Sequence, residues 1–432
     1  MAQMLSLARA AREASIPLAA SRAEVRNAAL LAIAQALEEQ ANIIIQSNKR
    51  DVARAQEENL AAPLLKRLKV DEKKIASMAA GARALAGLDD PIGATQLARE
   101  LAPGLELYRV SCPIGVICVI FESRPDALVQ IACLCLKSGN AALLKGGSEA
   151  LETNRTLFEV LMNASLAAGL PQGWAGLMET REDVNAMLGL DAYIDLIIPR
   201  GSNAFVRYIK EHSRIPVLGH ADGVCHVYVD RSCDLDMAVR VAVDAKTQYV
   251  AVCNACETLL VHAAVAQEYL PRLKAAMDEK HTRLLGCART QAIIDCEAAQ
   301  ESDWSTEYLD YVLSIKIVDS LEEAIAHINR YGSGHTDAII TRDEQAARTF
   351  TTLVDSAGVY VNCSTRFADG FRYGFGAEVG IATGKVHARG PMGLEGLCIY
   401  KYKLLGCGQI VEDFESGKAQ FTHRPLIKKC PM

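Results

Sequence analysis

The chain has 432 residues, of which 50% are hydrophobic and 23% are charged, and its formal net charge at pH 7 is −6. The length predicts two or three domains, and the composition is typical of soluble globular proteins. The acidic balance argues against a nucleic-acid partner, and no apolar run approaches the ~18 residues of a membrane helix.

The 14 cysteines are scattered through apolar runs, as at Cys118, Cys133 and Cys135. Disulfide scaffolds are short and dense in cysteine, so this distribution predicts reduced thiols in a cytoplasmic protein. The N-terminal stretch from Met1 to Ser21 has no continuous apolar core of the signal-peptide type, which agrees with a cytoplasmic location.

Residues 1 to about 100 are predicted to be helical, because Ala and Leu dominate with Glu and Arg between them. The stretch from Ser21 to Glu24 fits a capping box ahead of a long amphipathic helix that runs through Gln46. Residues 71–88 predict a further helix. No chemistry is visible in this part of the chain, so packing is its expected role.

From residue 105 the pattern predicts strands that alternate with helices. Residues 105–112 alternate like a half-buried strand, and residues 114–121 form a continuous apolar run, typical of a strand buried on both faces of a parallel sheet. A helix over 127–137, a strand over 141–145 and a helix over 149–168 follow. This βαβα order predicts an open parallel α/β sheet.

Ligands of such sheets bind at the carboxyl ends of the strands, so residues 122–126 and 145–148 are expected in the binding crevice. Two further apolar strands end in the small, polar turns 199–203 and 219–223. Either turn alone is weak evidence, since Gly-Ser and Asp-Gly are ordinary turn sequences. The G-x-G-x-x-G fingerprint is absent, so the ordinary dinucleotide signature is missing.

The apolar stretch from Tyr249 to Val261 carries Cys253 at the joint between a predicted helix and a predicted strand. A cysteine in such a place can present a thiolate to a cleft, although most free cysteines are small buried hydrophobes. Cys256 completes a C-x-x-C, which leaves a thiol–disulfide or metal-binding module open. A zinc site needs a second pair that is not visible nearby, so no metal is predicted.

The last hundred residues contain a Gly-rich loop and one more predicted strand. The loop over 371–396 has little periodicity, which is more typical of functional loops than of idle ones. Residues 398–404 alternate like an exposed edge strand, as 105–112 do, and the two are expected to pair with each other or with another subunit. The polar tail over 414–432 predicts poor order.

Six motifs follow one another along the chain: Phe121-Glu122-Ser123-Arg124-Pro125, Ile198 to Asn203, Leu218 to Gly223, Cys253-Asn254, Gly334 to Asp337, and Lys385 to Pro391. Together they resemble the aldehyde dehydrogenase superfamily, and the resemblance covers nearly the whole chain. It implies an α/β fold, aldehyde-dehydrogenase-like, with two open α/β domains plus a small β oligomerisation element.

The expected domains follow from the resemblance and the element pattern. They are N-terminal helices with a dinucleotide-binding α/β domain (1–104 and 113–230), a catalytic α/β domain carrying Cys253 (231–360), β oligomerisation segments (105–112 and 396–410), and an active-site loop region that returns to the cofactor domain (361–395).

The resemblance assigns the nucleophile to Cys253. It also implies that Lys145 reaches the adenosine ribose or its 2′-phosphate, and that Gly201-Ser202 starts the helix beneath the cofactor. Glu307 would hold the nicotinamide ribose. The implied cofactor is NADPH, with the preference resting on Lys145 and on the family.

Two departures from the aldehyde-oxidising members favour reduction. Those members carry an Asn where this chain has Ser123, and they carry a Glu that activates the deacylating water where residues 218–221 of this chain hold no carboxylate. An enzyme that hydrolyses a thioester needs that base, whereas one that reduces a thioester by hydride does not.

More closely, the motifs resemble the branch of the superfamily that reduces L-glutamate 5-phosphate to L-glutamate 5-semialdehyde in proline biosynthesis. The implied course is attack by Cys253, loss of phosphate, and hydride reduction of the thioester. The Cys253 backbone N–H, with Asn254 or Ser123, is expected to stabilise the oxyanion. The loop residues expected to bind the phosphate are Arg124, His220, His387 and Arg389.

The implied partners are a small-molecule substrate, a glutamate 5-kinase that channels it, and further copies of the chain in a homo-oligomer, with no nucleic acid and no membrane. Three alternatives stay open. They are an NAD(P)-dependent aldehyde-oxidising dehydrogenase of the same superfamily, a thiol–disulfide redox protein that uses Cys253 and Cys256, and a cofactor-binding protein that has lost its chemistry.

Overall fold

The structure is a computed structural model, and it describes residues 2–121, 124–220, 222–375 and 378–431. Five helices come first: α1 (Ala2–Ala20), α2 (Ala23–Glu39), α3 (Ala41–Glu57), α4 (Ala62–Leu68) and α5 (Glu72–Ala86). No single helix in the described part of the chain is long and apolar enough to cross a membrane. Within the described ranges, one bent pair, α2 and α3, meets that test by length and composition when the two helices are counted together.

The predicted capping box and long helix over 21–46 are wrong. The Ser21 hydroxyl donates to the Leu18 carbonyl (2.6 Å), so it does not cap α2, whose N-cap Arg22 has no side-chain bond. The helix also ends at Glu39, and α3 starts at Ala41 at an angle of 68° to it. The bend lets the apolar faces of both helices pack against the same core, and no local sequence signal marks it.

The first parallel sheet has the strand order β5-β4-β3-β6. Its elements follow a hairpin of β1 (Thr95–Ala102) and β2 (Leu105–Pro113), and they are β3 (Val116–Ile120), α6 (Pro125–Lys137), β4 (Ala141–Lys145), α7 (Leu151–Ala167), β5 (Ala175–Met178), α8 (Arg181–Met187), β6 (Leu196–Pro199) and α9 (Asn203–His212). Helices cover both faces, which explains why β3 is buried throughout.

The second parallel sheet has seven strands in the order β10-β9-β11-β8-β7-β12-β13. Its elements are β7 (Cys225–Val229), α10 (Leu235–Thr247), β8 (Cys256–His262), α11 (Ala263–Asp278), β9 (Arg283–Gly286), α12 (Ala288–Gln291), β10 (Glu297–Ala298), β11 (Val312–Val318), α13 (Leu321–Tyr331), β12 (Thr336–Ile340), α14 (Glu344–Leu353) and β13 (Gly358–Val361). The predicted fold class, with two open α/β units, is confirmed.

The boundary expected at residue 230 is wrong for β7. That strand lies in the second sheet, between β8 and β12, although the sequence assigns it to the first unit. Its buried apolar run is compatible with either sheet, and the long-range pairing with β8 decides between them.

The remaining strands form a small antiparallel sheet in the order β16-β2-β1-β17 and a separate hairpin. They are β14 (Gly380–Ala382), β15 (Gly390–Met392), β16 (Cys398–Leu405) and β17 (Arg424–Pro425), with α15 (Val411–Glu415) between the last two. The two alternating segments, 105–112 and 398–404, thus pair with each other. The β14–β15 hairpin packs into the core of the first unit through Val379, Ala382 and Met392.

Two predictions for the chain ends are corrected. The expected helical region up to residue 100 ends in the strand β1, because pairing with β2 outweighs the helix propensity of its Ala, Glu and Arg residues. The tail is not loose, since β17 pairs with β1 and Lys428 forms a 2.7 Å ion pair with Glu106.

Candidate active site

The first sheet's carboxyl edge faces the second unit across a crevice. Gly201 and Ser202 are exposed there, at the start of the ten-residue helix α9. The next residue, Asn203, donates from Nδ2 to the Glu307 carboxylate across the crevice (3.0 Å) and to Asp222 (2.6 Å). The structure therefore brings Gly201, Ser202 and Glu307, three of the predicted cofactor residues, to one place.

Lys145 is the last residue of β4, on the same edge, and it is half-buried. A cation and the N-terminus of a helix suit phosphate groups, and a carboxylate suits ribose hydroxyls. The donor set of Lys145, the start of α9, and Glu307 therefore fits a nicotinamide dinucleotide laid across the edge.

Cys253 lies in the turn between α10 and β8, half-buried and facing the crevice. Gly223, on the chain entering β7, makes this turn possible. A Cβ at position 223 would lie 2.2 Å from the Cys253 carbonyl oxygen and 2.4 Å from its Cα. Only glycine fits so close to another backbone, so residue 223 fixes where the nucleophile stands.

The surroundings of Cys253 keep its thiol protonated at rest. Burial raises the pKa of Cys253 to about 12, and the carboxylates of Glu307 and Glu378 add to the rise, while the Arg200 guanidinium opposes it. The nucleophile is a thiolate, so this thiol needs a proton acceptor when its substrate is bound.

Two histidines lie next to the thiol. His220 and His335 stack edge to face with ring centroids 5.0 Å apart, and a ring nitrogen of each lies within 4.8 Å of the other and of the Cys253 sulfur. The His220 Nδ1 lies 2.9 Å from the Ile381 carbonyl oxygen. Burial lowers the pKa of both rings, most for His335, which is 1% exposed.

Of the two side chains expected to stabilise the oxyanion, the structure describes Asn254. The Asn254 side chain is buried and donates from Nδ2 to the Ala368 carbonyl (2.8 Å), and the Thr365 hydroxyl donates to the Asn254 carbonyl (2.7 Å). One amide proton of Asn254 is thus committed to the 365–368 segment. Ser123 lies outside the described residues.

Arg200 is a site residue to which the sequence motifs assigned no role. It follows β6 directly, and its side chain has no hydrogen bond to any residue that the structure describes. Burial lowers the pKa of Arg200, while the Glu378 carboxylate opposes that shift. Its position directly after a buried strand that ends at the crevice could have identified Arg200 as a candidate for anion binding.

The four predicted phosphate ligands do not form one cluster. Arg124 occupies the N-cap position of α6, pairs with Asp126 (2.9 Å), and lies close enough to Arg200 to disfavour its charge. His220 lies at the thiol. Arg124 and His220 therefore belong to the crevice around Cys253.

His387 and Arg389 are held elsewhere by their own loop. Nε2 of the exposed His387 lies 2.9 Å from the Gly396 carbonyl, and Arg389 donates to the Asp355 carbonyl (3.1 Å) and carboxylate (3.2 Å). Among the described residues, no hydrogen bond joins either side chain to Cys253.

Cys256 is fully buried in β8, with its sulfur 3.3 Å from the Thr258 carbonyl. It is a free thiol, as are the other 13 cysteines. Since Cys256 cannot reach solvent, the C-x-x-C spacing gives no support to a thiol–disulfide protein.

A buried ion pair supports the segment that carries Glu307. Lys246 Nζ lies 2.5 Å from the Glu257 carboxylate, and both side chains are 0% exposed. The other Glu257 oxygen accepts from the Leu309 N–H (3.4 Å), where the backbone is left-handed (φ 54°). No sequence pattern predicted this ion pair, because a Lys on a helix and a Glu on a strand are usually exposed.

Comparisons with known proteins agree with this geometry. A profile of the aldehyde dehydrogenase family matches residues 2–284 and 293–384. The gamma-glutamyl phosphate reductases of Acetivibrio thermocellus and Pelotomaculum thermopropionicum are each 61% identical to the chain, with 98% of both sequences covered. The crystal structure of the Thermotoga maritima gamma-glutamyl phosphate reductase is 39% identical and superposes with a TM-score of 0.93, covering 94% of this chain and 99% of that one.

Proposed function

The chain belongs to the aldehyde dehydrogenase family and, within it, to the gamma-glutamyl phosphate reductases, and we propose that it reduces L-glutamate 5-phosphate to L-glutamate 5-semialdehyde in proline biosynthesis. The observation that carries the proposal is that Cys253 lies in the crevice beside His220. The stretch that contains His220 lacks the Glu with which aldehyde-oxidising members activate a water. A thioester on Cys253 is then kept for reduction.

The chain's own residues perform the acyl transfer. The Cys253 thiolate attacks the acyl carbon, the C–S bond forms, and the C–O bond to phosphate breaks. The guanidinium of Arg200, which has no side-chain hydrogen bond to a described residue, neutralises the charge of the departing phosphate together with Arg124. Each charge-assisted donor aimed at the developing oxyanion contributes ~3 kcal/mol to such a step.

The cofactor is NADPH in this proposal. Lys145 and the start of α9 would bind its phosphates, and Glu307 would hold the nicotinamide ribose. When bound, it supplies the hydride that reduces the thioester. The Asn203 bond to Glu307 holds that carboxylate between the two sheets, where it would accept from the ribose hydroxyls.

The exposed edge of the antiparallel sheet indicates one partner, a second copy of the chain. Strand β16 forms one edge of the antiparallel sheet, and Ile399, Tyr400, Tyr402 and Leu404 are exposed on it. An exposed apolar edge strand tends to pair with or pack on a second chain, so the enzyme forms homo-oligomers through β16. Glutamate 5-kinase supplies the labile acyl phosphate, and both enzymes work in the cytoplasm.

The reverse reaction tests the function. The protein is incubated with NADP⁺, phosphate and L-glutamate 5-semialdehyde, and NADPH absorbance is followed. Activity requires phosphate, disappears in Cys253→Ala, and persists in the matched control Cys256→Ala. NAD⁺ in place of NADP⁺ measures the cofactor preference, which Lys145→Ala weakens.

Two results contradict the proposal. Oxidation that proceeds equally well without phosphate identifies an aldehyde-oxidising dehydrogenase. Full activity in Cys253→Ala removes the nucleophile assignment.

A further inference from the structure

One ring nitrogen of His220 forms a hydrogen bond with a backbone carbonyl, and the other can accept a proton. Its Nδ1 lies 2.9 Å from the Ile381 carbonyl oxygen, which can only accept, so Nδ1 carries the proton of the neutral ring. Nε2 is then left with its lone pair, and no described residue donates to it. The ring stands beside the Cys253 sulfur, within 4.8 Å.

We propose that Nε2 of His220 is the general base that takes the Cys253 thiol proton as the sulfur attacks the acyl phosphate. This role rests on the proposed reduction and deepens it. It replaces the phosphate-binding role expected from the sequence.

The competing bases are occupied or too deeply buried. Glu307 accepts from Asn203, and Glu378 accepts from the Gly370 N–H (2.8 Å). His335 is 1% exposed, so an imidazolium there would lack solvation. His220 is only half-buried, which lowers the cost of charging it.

The charged groups around His220 favour a neutral ring at rest. Those facing it are Arg200 at the end of β6, Lys210 on α9, Asp222 in its own loop, and the ring of His335. Burial and the two cations lower the pKa of the ring, whereas the bond to the Ile381 carbonyl and the Asp222 carboxylate raise it. A Cys253 thiolate, once formed, also favours the imidazolium. The ring therefore gains a proton only as the thiolate forms. Rotation of the Cys253 side chain, or one bridging water, closes the remaining distance.

The proton balance is complete without any further reactant. The S–H bond breaks and its proton moves to Nε2, while the C–S bond forms and the C–O bond breaks. Nε2 then passes the proton to the departing phosphate, which leaves as the dianion. After hydride reduction the thiohemiacetal collapses, the C–S bond breaks, and the released thiolate takes one proton from water.

Alkylation by iodoacetamide without substrate tests the base directly. The modified Cys253 peptide is quantified by mass spectrometry over a pH series. In His220→Gln, which keeps an N–H donor for the Ile381 carbonyl, the rate at neutral pH falls ~10²-fold, the usual contribution of a general base. The exposed control His212→Gln alkylates at the wild-type rate. Added imidazole restores alkylation in His220→Ala.

Steady-state kinetics separate this role from phosphate binding. In the reverse assay, His220→Gln lowers kcat and leaves the KM for phosphate near its wild-type value. A raised KM for phosphate with an unchanged alkylation rate overturns the proposal. If activity is independent of phosphate but alkylation still falls ~10²-fold, the base assignment stands and the reductase function fails.

Discussion

Gly223→Ala places a methyl group against the backbone of the nucleophile. The added Cβ would lie 2.2 Å from the Cys253 carbonyl oxygen and 2.5 Å from its Cβ, where Cβ atoms essentially never come closer than 3.0 Å. Backbone cannot swing away as a long side chain can, so the turn must shift by about 0.8 Å to restore the shortest contact.

This shift affects catalysis more than folding. Overpacking of this kind costs about 1–3 kcal/mol of stability, which a domain of ordinary stability survives. A misplacement of about 1 Å at a reacting atom lowers the rate ~10²-fold. We therefore expect a folded Gly223→Ala protein whose kcat/KM in the reverse assay is ~10²-fold below wild type.

Gly219→Ala is the matched control in the same loop. Its Cβ would meet the nearest atom, the Pro199 carbonyl oxygen, at 3.4 Å, an ordinary contact. Circular dichroism and urea unfolding check that both variants are folded, and the NADPH assay measures kcat/KM. Near-wild-type activity in Gly223→Ala, or an equal loss in Gly219→Ala, would refute the claim that residue 223 fixes the nucleophile.

Three further predictions concern stability and assembly. Lys246→Met leaves the buried Glu257 carboxylate without its cation and lowers the free energy of unfolding in urea by ~3–5 kcal/mol. The control Lys274→Met, in a partly exposed pair, changes the free energy of unfolding by less than ~1 kcal/mol. Equal losses in the two variants contradict the role of burial. Burial lowers the pKa of His327 to about 3, so the folded ring stays neutral while the unfolded ring binds a proton below about pH 6.5. Wild type therefore loses stability as the pH falls from 6.5, by at most ~1.4 kcal/mol per unit from this ring, and His327→Phe loses it less steeply; identical slopes contradict this. Tyr402→Lys on the exposed edge β16 lowers the oligomeric state in light scattering, and an unchanged mass removes β16 from the interface.

The sequence predicted the parts of the fold that local patterns control. Continuous apolar runs identified β3 and β4, and alternation identified β2 and β16. Features that depend on distant partners were missed or misplaced. Strand β1 needs β2 to outweigh its helical composition, and β7 could join either sheet until its register with β8 was known.

The site shows the same division. The family resemblance assigned Cys253, Glu307 and the start of α9 to one site, and the structure brings these residues close together. Sequence could not show that His387 bonds the Gly396 carbonyl or that Arg389 bonds Asp355. Loop residues have no periodicity from which the direction of a side chain can be predicted. Nor could it show the thiol's environment, because the raised pKa of Cys253 depends on burial and on two carboxylates far away in the chain.

The thioester on Cys253 is the central claim, and acid-quenched mass spectrometry tests it most directly. The protein is mixed with NADP⁺ and L-glutamate 5-semialdehyde without phosphate, quenched, and digested. The account predicts a glutamyl adduct on the Cys253 peptide that is absent in Cys253→Ala and that disappears when phosphate is added before the quench. An adduct on another cysteine, or one that water removes as fast as phosphate does, would contradict it.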